Sequence, residues 1–170
     1  RADIIIFTKC PSTIMPVDML STRTQIRPFP YQTLYYTTLT YEEPKGVFTD
    51  KKLELYGKEI ILLIGIAQPQ HLHKHLEKYV SLITALKYPD HHNFTSHDIK
   101  ELEEDFEKLN ANNRAIITTE KDAARLISMN LPAIIKENLY IIGIKVEFLF
   151  NAQKDFDTQI DKFLRNQNVI

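Results

Sequence analysis

Apolar residues are distributed along this chain in two textures. Continuous apolar runs occur at Ile4-Ile5-Ile6-Phe7 and from Ile60 to Ala67, the pattern of strands covered on both faces. Ser81 to Lys87, Ala115-Ile116-Ile117-Thr118 and Leu139 to Phe148 also read as strands. Between them the spacing becomes helical. Gln68-Pro69 opens a helix of roughly ten residues, with Pro near its first turn. Thr95-x-x-Asp98 forms a capping box, and the helix behind it places Ile99, Leu102, Phe106 and Leu109 on one stripe, with Glu101, Glu103, Glu104 and Asp105 toward water. Thr119-Glu120-Lys121-Asp122 repeats the Thr-x-x-Asp pattern and begins a helix that buries Ala123, Leu126 and Ile127 before Leu131-Pro132 breaks it. A final helix from about residue 153 to residue 166 buries Phe156, Ile160, Phe163 and Leu164.

The first third reads differently. Met15, Val17, Met19 and Leu20 supply one helical face in a segment interrupted by Pro16, Pro28 and Pro30. Thr33 to Leu39 is rich in Tyr, Thr and Leu, Pro44-Lys45-Gly46 makes a turn, and Val47-Phe48 leads toward Leu53-Glu54-Leu55-Tyr56. This pattern predicts a two-stranded antiparallel ribbon. The expected fold is therefore α/β, a mostly parallel sheet flanked by helices with that ribbon attached. Its expected divisions are a strand in 1–11, a linker and ribbon in 12–58, and an α/β domain in 59–170.

With 44% apolar and 25% charged residues, the composition is that of a soluble globular protein. A formal charge of −1 argues against a nucleic-acid partner bound by bulk electrostatics. The single cysteine, Cys10, excludes an internal disulfide framework and fits a reducing compartment. No apolar run reaches the ~18 residues of a membrane span, and no signal peptide is visible. The chain opens on Arg1, immediately before a buried-type strand, which leads us to expect a fragment of a longer protein.

Candidate chemistry gathers where strands end, the usual working edge of a parallel sheet. Tyr88-Pro89-Asp90-His91-His92-Asn93-Phe94 puts a carboxylate and two imidazoles on one loop. An Asp beside a His can fix the ring tautomer and raise its basicity; a polar turn with solvated histidines is the competing reading. Lys9 follows the first strand within Thr8-Lys9-Cys10-Pro11, which is similar to the base-contacting Asn/Thr-Lys-x-Asp element of P-loop proteins except that Pro11 replaces the base-reading Asp. Glu120, Lys121 and Asp122 open a helix whose backbone N–H groups, with Lys121, are suited to an anion, or simply to capping. His71 and His75 stand at i, i+4, but no Glu or Cys partners them in that segment, and we assign no metal site.

Taken in order, Arg1-Ala2-Asp3-Ile4-Ile5-Ile6-Phe7-Thr8-Lys9-Cys10-Pro11, Gly65-Ile66-Ala67-Gln68-Pro69, Pro89-Asp90-His91-His92-Asn93-Phe94 and Thr118-Thr119-Glu120-Lys121-Asp122-Ala123 resemble the C-terminal half of the tetraacyldisaccharide 4′-kinases, the lipid A 4′-kinases of Gram-negative bacteria. The resemblance implies the C-terminal half of a P-loop kinase fold, with residues 1–11 a strand of the nucleotide-binding core. It implies transfer of the ATP γ-phosphate, with Mg²⁺, to the 4′-hydroxyl of a tetraacyldisaccharide 1-phosphate, at the cytoplasmic face of the bacterial inner membrane. The implied partners are the lipid disaccharide, ATP, the protein's own N-terminal domain and the membrane surface.

The same resemblance makes His91, with Asp90 beside it, the catalytic candidate, and leaves His92 structural. In the family this His pairs with an Asp from the N-terminal half, so His91 is expected to orient or tune that base. Lys9, Glu120, Lys121 and Asp122 are open between nucleotide-side and structural roles. The chain contains no Gly-x-x-x-x-Gly-Lys-Ser/Thr loop and no Asp-Asp-Gly-Phe-Gln stretch, so ATP and Mg²⁺ are expected to be bound mainly by the upstream half, and the fragment alone to be inactive. Two other classes stay open: a metal-dependent phosphoesterase of Asp-His-His type, and a non-catalytic nucleotide-binding module.

Overall fold

A computed structural model describes residues 2–66 and 69–167, with the side chains of 166 and 167 left aside. Ala67 and Gln68, expected at a strand end and a helix start, and Arg1 of the first motif lie outside the described residues. In chain order the elements are β1 (Ile4–Phe7), α1 (Pro16–Ile26), β2 (Thr33–Tyr41), β3 (Lys45–Gly46), β4 (Glu59–Ile64), α2 (Gln70–Leu76), β5 (Leu82–Lys87), α3 (Ser96–Glu107), β6 (Arg114–Thr119), α4 (Glu120–Leu126), α5 (Ala133–Asn138), β7 (Leu139–Ile142), β8 (Ile144–Phe148) and α6 (Gln153–Gln167). The described residues form two compact units, one within 2–40 and 144–167 and one within 41–143.

The second unit is built on a five-stranded sheet in the order β3-β7-β6-β4-β5. The pairs β4–β5, β4–β6 and β6–β7 are parallel, and only the two-residue β3 runs antiparallel, against β7. Period-two side-chain alternation divides the central strands between two cores. Ile61, Leu63 and Ile116 face Leu102 and Phe106 of α3, whereas Ile60, Leu62 and Ile117 face Leu72 and Leu76 of α2. That double burial is why these strands read as continuous apolar runs. Helix α3 begins at the expected capping box, with Thr95 Oγ1 accepting from the Asp98 N–H at 3.3 Å and the Asp98 carboxylate accepting from the Thr95 N–H at 2.6 Å.

The order matters for function. Successive strands β4, β5, β6 and β7 take positions on opposite sides of β4, so the connections leaving β4 and β6 diverge. A crevice opens at such a switch point, at the carboxyl ends of the strands, and this is where open α/β sheets bind ligands.

The first unit is a three-stranded sheet in the order β1-β2-β8, with β1 and β2 parallel from Ile4↔Thr33 to Phe7↔Tyr36. Helix α6 meets it through Asp155, Phe156 and Gln159. The Phe156 ring lies edge-on to Tyr35, their centroids 5.3 Å apart. The Tyr35 hydroxyl lies 2.8 Å from Asp155 Oδ2. Burial, with the Asp155 carboxylate beside it, pushes the Tyr35 hydroxyl up to about 12.

Four expectations need correction. The antiparallel ribbon is absent: Thr33–Tyr36 pair in parallel with β1 instead, and between Pro44 and Lys58 the one named strand is Lys45–Gly46, hydrogen-bonded to β7. A β-rich composition signals a strand but not its partner, which nonlocal packing selects. The run from 139 to 148 is two strands in two sheets, broken at Gly143. Its lack of a Cβ matters, because one built there would sit 2.5 Å from Glu42 Oε2. In α6, Phe156 and Ile160 are half-buried but Phe163 and Leu164 are exposed. Finally, Ile127 is exposed, because α4 ends at Leu126 after two turns and Ile127 only caps it. The helix expected around Met15 to Leu20 is present as α1, yet none of its residues is buried.

Candidate functional site

Three strand ends of the second unit supply one polar cluster. The end of β4 brings Gly65, the loop after β5 brings Asp90 and His91, and the first two turns of α4 behind β6 bring Lys121, Asp122 and Arg125. At its base lies Asp122, fully buried. The Asp122 Oδ2 accepts the Gly65 N–H at 2.9 Å and the Thr119 hydroxyl at 2.8 Å, and its Oδ1 faces Arg125 Nη1 at 3.4 Å. This carboxylate therefore ties β4 to the helix behind β6 across the switch point. A Cβ on Gly65 would lie 3.1 Å from Asp122 Oδ1 and 3.3 Å from the Pro89 carbonyl, so the absence of a side chain lets the three segments close up.

Above that base the side chains are accessible. Lys121 Nζ donates to Asp90 Oδ1 at 2.6 Å, and the same oxygen accepts the His91 N–H at 3.0 Å. The Lys121 hydrogen bond holds the Asp90 carboxyl below the usual carboxylate range; burial opposes this, while the nearby His91 adds to it. His91 itself has a left-handed backbone, φ 63°. That conformation is rare for a residue with a Cβ and recurs at functional sites. Its ring is 75% exposed, with Nε2 3.7 Å from Asp90 Oδ2 and Nδ1 3.4 Å from Arg125 Nη2.

His92 turns the other way. Its ring stacks on Tyr88, centroids 4.6 Å apart, meets Phe94 edge-on, and places Nε2 3.0 Å from Asp98 Oδ2. Burial acts to raise the Asp98 carboxyl, but the hydrogen bonds from His92 and from the Thr95 N–H and hydroxyl outweigh it and hold it low. Tyr88 is pushed up to about 12 by burial and by the neighbouring Asp98, Glu101 and Asp105 carboxylates. The loop is thus anchored through His92 and offers His91.

Of the residues singled out from the sequence, Asp90, His91, Lys121 and Asp122 come together here. Glu120 is exposed at the first position of α4, and Lys9 belongs to the other compact unit, with φ 59° just beyond β1. Asp122 is corrected from candidate ligand contact to internal brace, since it has no exposed surface and its oxygens are already engaged. In α2, His73 pairs with Glu77 at 3.1 Å and His75 lies against Tyr41 and Tyr79. Sequence reading passed over Arg125. Its signal was the Asp122-x-x-Arg125 spacing, an acid–base pair on one helical face.

Asp90 is neutralised by Lys121 and Asp122 by its internal donors, so these carboxylates do not fit a divalent cation, and no group of three His, Cys, Asp or Glu suited to a metal occurs among the described residues. Lys121 and Arg125 are the cations of the cluster, and each is paired with one of these carboxylates. No helix of the described residues is long and apolar enough to cross a membrane.

A parallel α/β unit with a basic and imidazole cluster at its switch point belongs to the broad class of ligand-handling α/β proteins. The comparisons narrow that class. The family model "Tetraacyldisaccharide-1-P 4'-kinase" matches residues 1–165, and the chain belongs to that family. It is 39% identical to the tetraacyldisaccharide 4'-kinase of Phocaeicola vulgatus over 99% of this chain and 48% of that protein. With the same-named protein of Bacteroides fragilis it shares 40% identity over 97% of this chain and 46% of the relative. The chain thus spans about half the length of the curated relatives it matches. Among solved structures, the crystal structure of the "apo" form of LpxK from Aquifex aeolicus in complex with ATP aligns with a TM-score of 0.49 and 12% identity, covering 94% of this chain and 51% of that one.

Proposed function

We propose that this chain is the C-terminal half of a kinase that transfers the γ-phosphate of ATP to the 4′-hydroxyl of a tetraacyldisaccharide 1-phosphate. The observation that carries this reading is the family match over residues 1–165, which includes the Asp90-His91 loop at the switch point. The same match ranks a kinase above the phosphoesterase and the non-catalytic module. In phosphoryl transfer the protein contributes mainly positioning and charge neutralisation. His91 stands accessible at the crevice to orient the acceptor hydroxyl or its base. Lys121, paired with Asp90, and Arg125, paired with Asp122, offer hydrogen-bond donors beside the loop, with their charges balanced by those carboxylates. Lys9 and Glu120 remain candidates for the nucleotide side.

The portion of the relatives' length not covered by this chain would supply the phosphate-binding loop and the carboxylates for Mg²⁺, whose chemistry is to neutralise charge on the transferring phosphoryl group. On this reading the reaction belongs at the cytoplasmic face of the inner membrane, a location supported by the chemistry of an acylated substrate, which a bilayer holds, and of ATP, which is cytosolic. The test is His91→Ala in the full-length protein. The kcat should fall by about a hundredfold or more, with KM for the disaccharide changed little, as expected for a group acting in the transition state. An unchanged kcat would remove His91 from the reaction.

A further inference from the structure

One guanidinium connects the buried base of the site to its exposed imidazole. Arg125 faces Asp122 Oδ1 through Nη1 at 3.4 Å, and the same nitrogen lies 3.4 Å from the His92 carbonyl oxygen. Its other terminal nitrogen, Nη2, lies 3.4 Å from His91 Nδ1. Asp122 is buried and held by the Gly65 N–H and the Thr119 hydroxyl. Arg125 is therefore rooted, and it reaches both the backbone and the ring of the loop. From the opposite side Lys121 fixes Asp90, whose Oδ1 accepts the His91 N–H. The left-handed backbone of His91 is thus held between two ion pairs, and the ring is aimed by design of the surrounding helix rather than by its own packing.

A guanidinium carries donors only, so a ring nitrogen facing it must accept. A neutral ring that accepts there carries its proton on Nε2, the nitrogen 3.7 Å from Asp90 Oδ2. We propose that Arg125 is a positioning residue that locks His91 in the Nε2–H tautomer, so that the imidazole serves as a proton donor to a carboxylate or phosphoryl oxygen and not as the base that takes the hydroxyl proton. Neutral Nε2–H has no lone pair free to accept that proton. The charged groups facing the ring are Asp90 and Arg125, with Lys121 paired to Asp90. This inference deepens the kinase reading and rests on it for its catalytic consequence, while the tautomer itself is a property of this chain.

Long-range ¹H–¹⁵N correlation of the histidine rings in the chain Arg1–Ile170 reads the tautomer directly. The expected spectrum at neutral pH shows His91 with Nε2 protonated and Nδ1 bare, and Arg125→Lys moves both ring nitrogens toward the averaged shifts of a free imidazole. The substitution keeps a cation for Asp122, and a urea denaturation midpoint measured alongside checks the fold. A protonated Nδ1 in the unaltered chain overturns the proposal, as do ring shifts that Arg125→Lys leaves in place. If that variant does not fold, the unaltered chain alone decides.

In the full-length protein, Arg125→Lys should lower kcat about tenfold, less than the hundredfold or more lost with the imidazole itself, with KM for the disaccharide unchanged. Combined with His91→Ala it should cost nothing further, because the two act as one unit. Equal costs of Arg125→Lys in the presence and absence of His91 would assign Arg125 a purely structural role. Should His91→Ala alone leave kcat intact, the kinase reading of this site fails, and the ring spectra still decide the tautomer.

Discussion

Asp122 and Asp98 show how two carboxylates on similar capping patterns take different work. Both follow a Thr three residues earlier. Asp122 is fully buried and spends its second interaction on a backbone N–H from another strand, at Gly65. Asp122→Ala would leave that N–H unpaired and deprive Arg125 of its partner, at an expected cost of about 3 kcal/mol in urea denaturation. A loss below about 1 kcal/mol, the worth of one ordinary hydrogen bond, would mean that the brace is dispensable.

Asp98 is instead linked to pH. Its carboxyl is held lower in the folded chain than in the unfolded one. Its contribution to stability is thus complete above the unfolded value, about 3.9, and is lost as the pH falls through the folded value. Asp98→Asn should therefore be less stable than the parent at neutral pH, and the gap should close as the pH falls below about 4. Urea midpoints measured at several pH values test this. A gap that stays constant on acidification would assign the loss to packing.

At the scale of elements, α3 illustrates how a helix is fixed at one end and along one face. The Thr95–Asp98 capping box sets its start, and Ile99, Leu102 and Phe106 bury its inner stripe against Ile61, Leu63 and Ile116. The Arg114 guanidinium covers the Phe106 ring at 4.3 Å and donates to the Phe106 carbonyl at 2.8 Å. Phe106 is fully buried, so Phe106→Ala should cost about 3–5 kcal/mol, measurable as a fall in the denaturation midpoint. Because α3 carries Asp98, which anchors His92, the same substitution should loosen the loop that presents His91. By contrast α1 shows none of this: it buries no side chain, and Val17 and Leu20 are more than 60% exposed.

Across the whole molecule, the residues that would bind ATP are few. The cluster offers Lys121 and Arg125 but no phosphate-binding loop, and its carboxylates are committed to internal partners. Residues 1–170 alone should therefore show no micromolar ATP binding by calorimetry. A clear micromolar isotherm would require a nucleotide site within this half and would revise the proposed division of labour with the rest of the relatives' length.

What the sequence determined by itself was local and periodic. The runs at 60–64 and 115–118 are strands because two-sided burial demands continuous apolar residues; the run at 4–7 is also a strand, but an edge one with Ile6 41% exposed, so its apolar texture did not report two-sided burial. The Thr-x-x-Asp patterns start helices because a short hydroxyl side chain caps free N–H groups wherever it precedes a turn. The ordered motifs carried the family, and the placement of Asp90-His91 after a strand carried the candidate site. Other features depended on partners distant in sequence. Residues 33–41 chose β1 over a hairpin, Gly143 separated two strands into two sheets, and Phe163 and Leu164 stayed exposed despite their helical spacing. Only the three-dimensional arrangement brought Gly65, Asp90 and Arg125 into one cluster, because the parallel order places β4 between β5 and β6. Periodicity records which face of an element is buried; it holds no record of which distant side chain will meet it there.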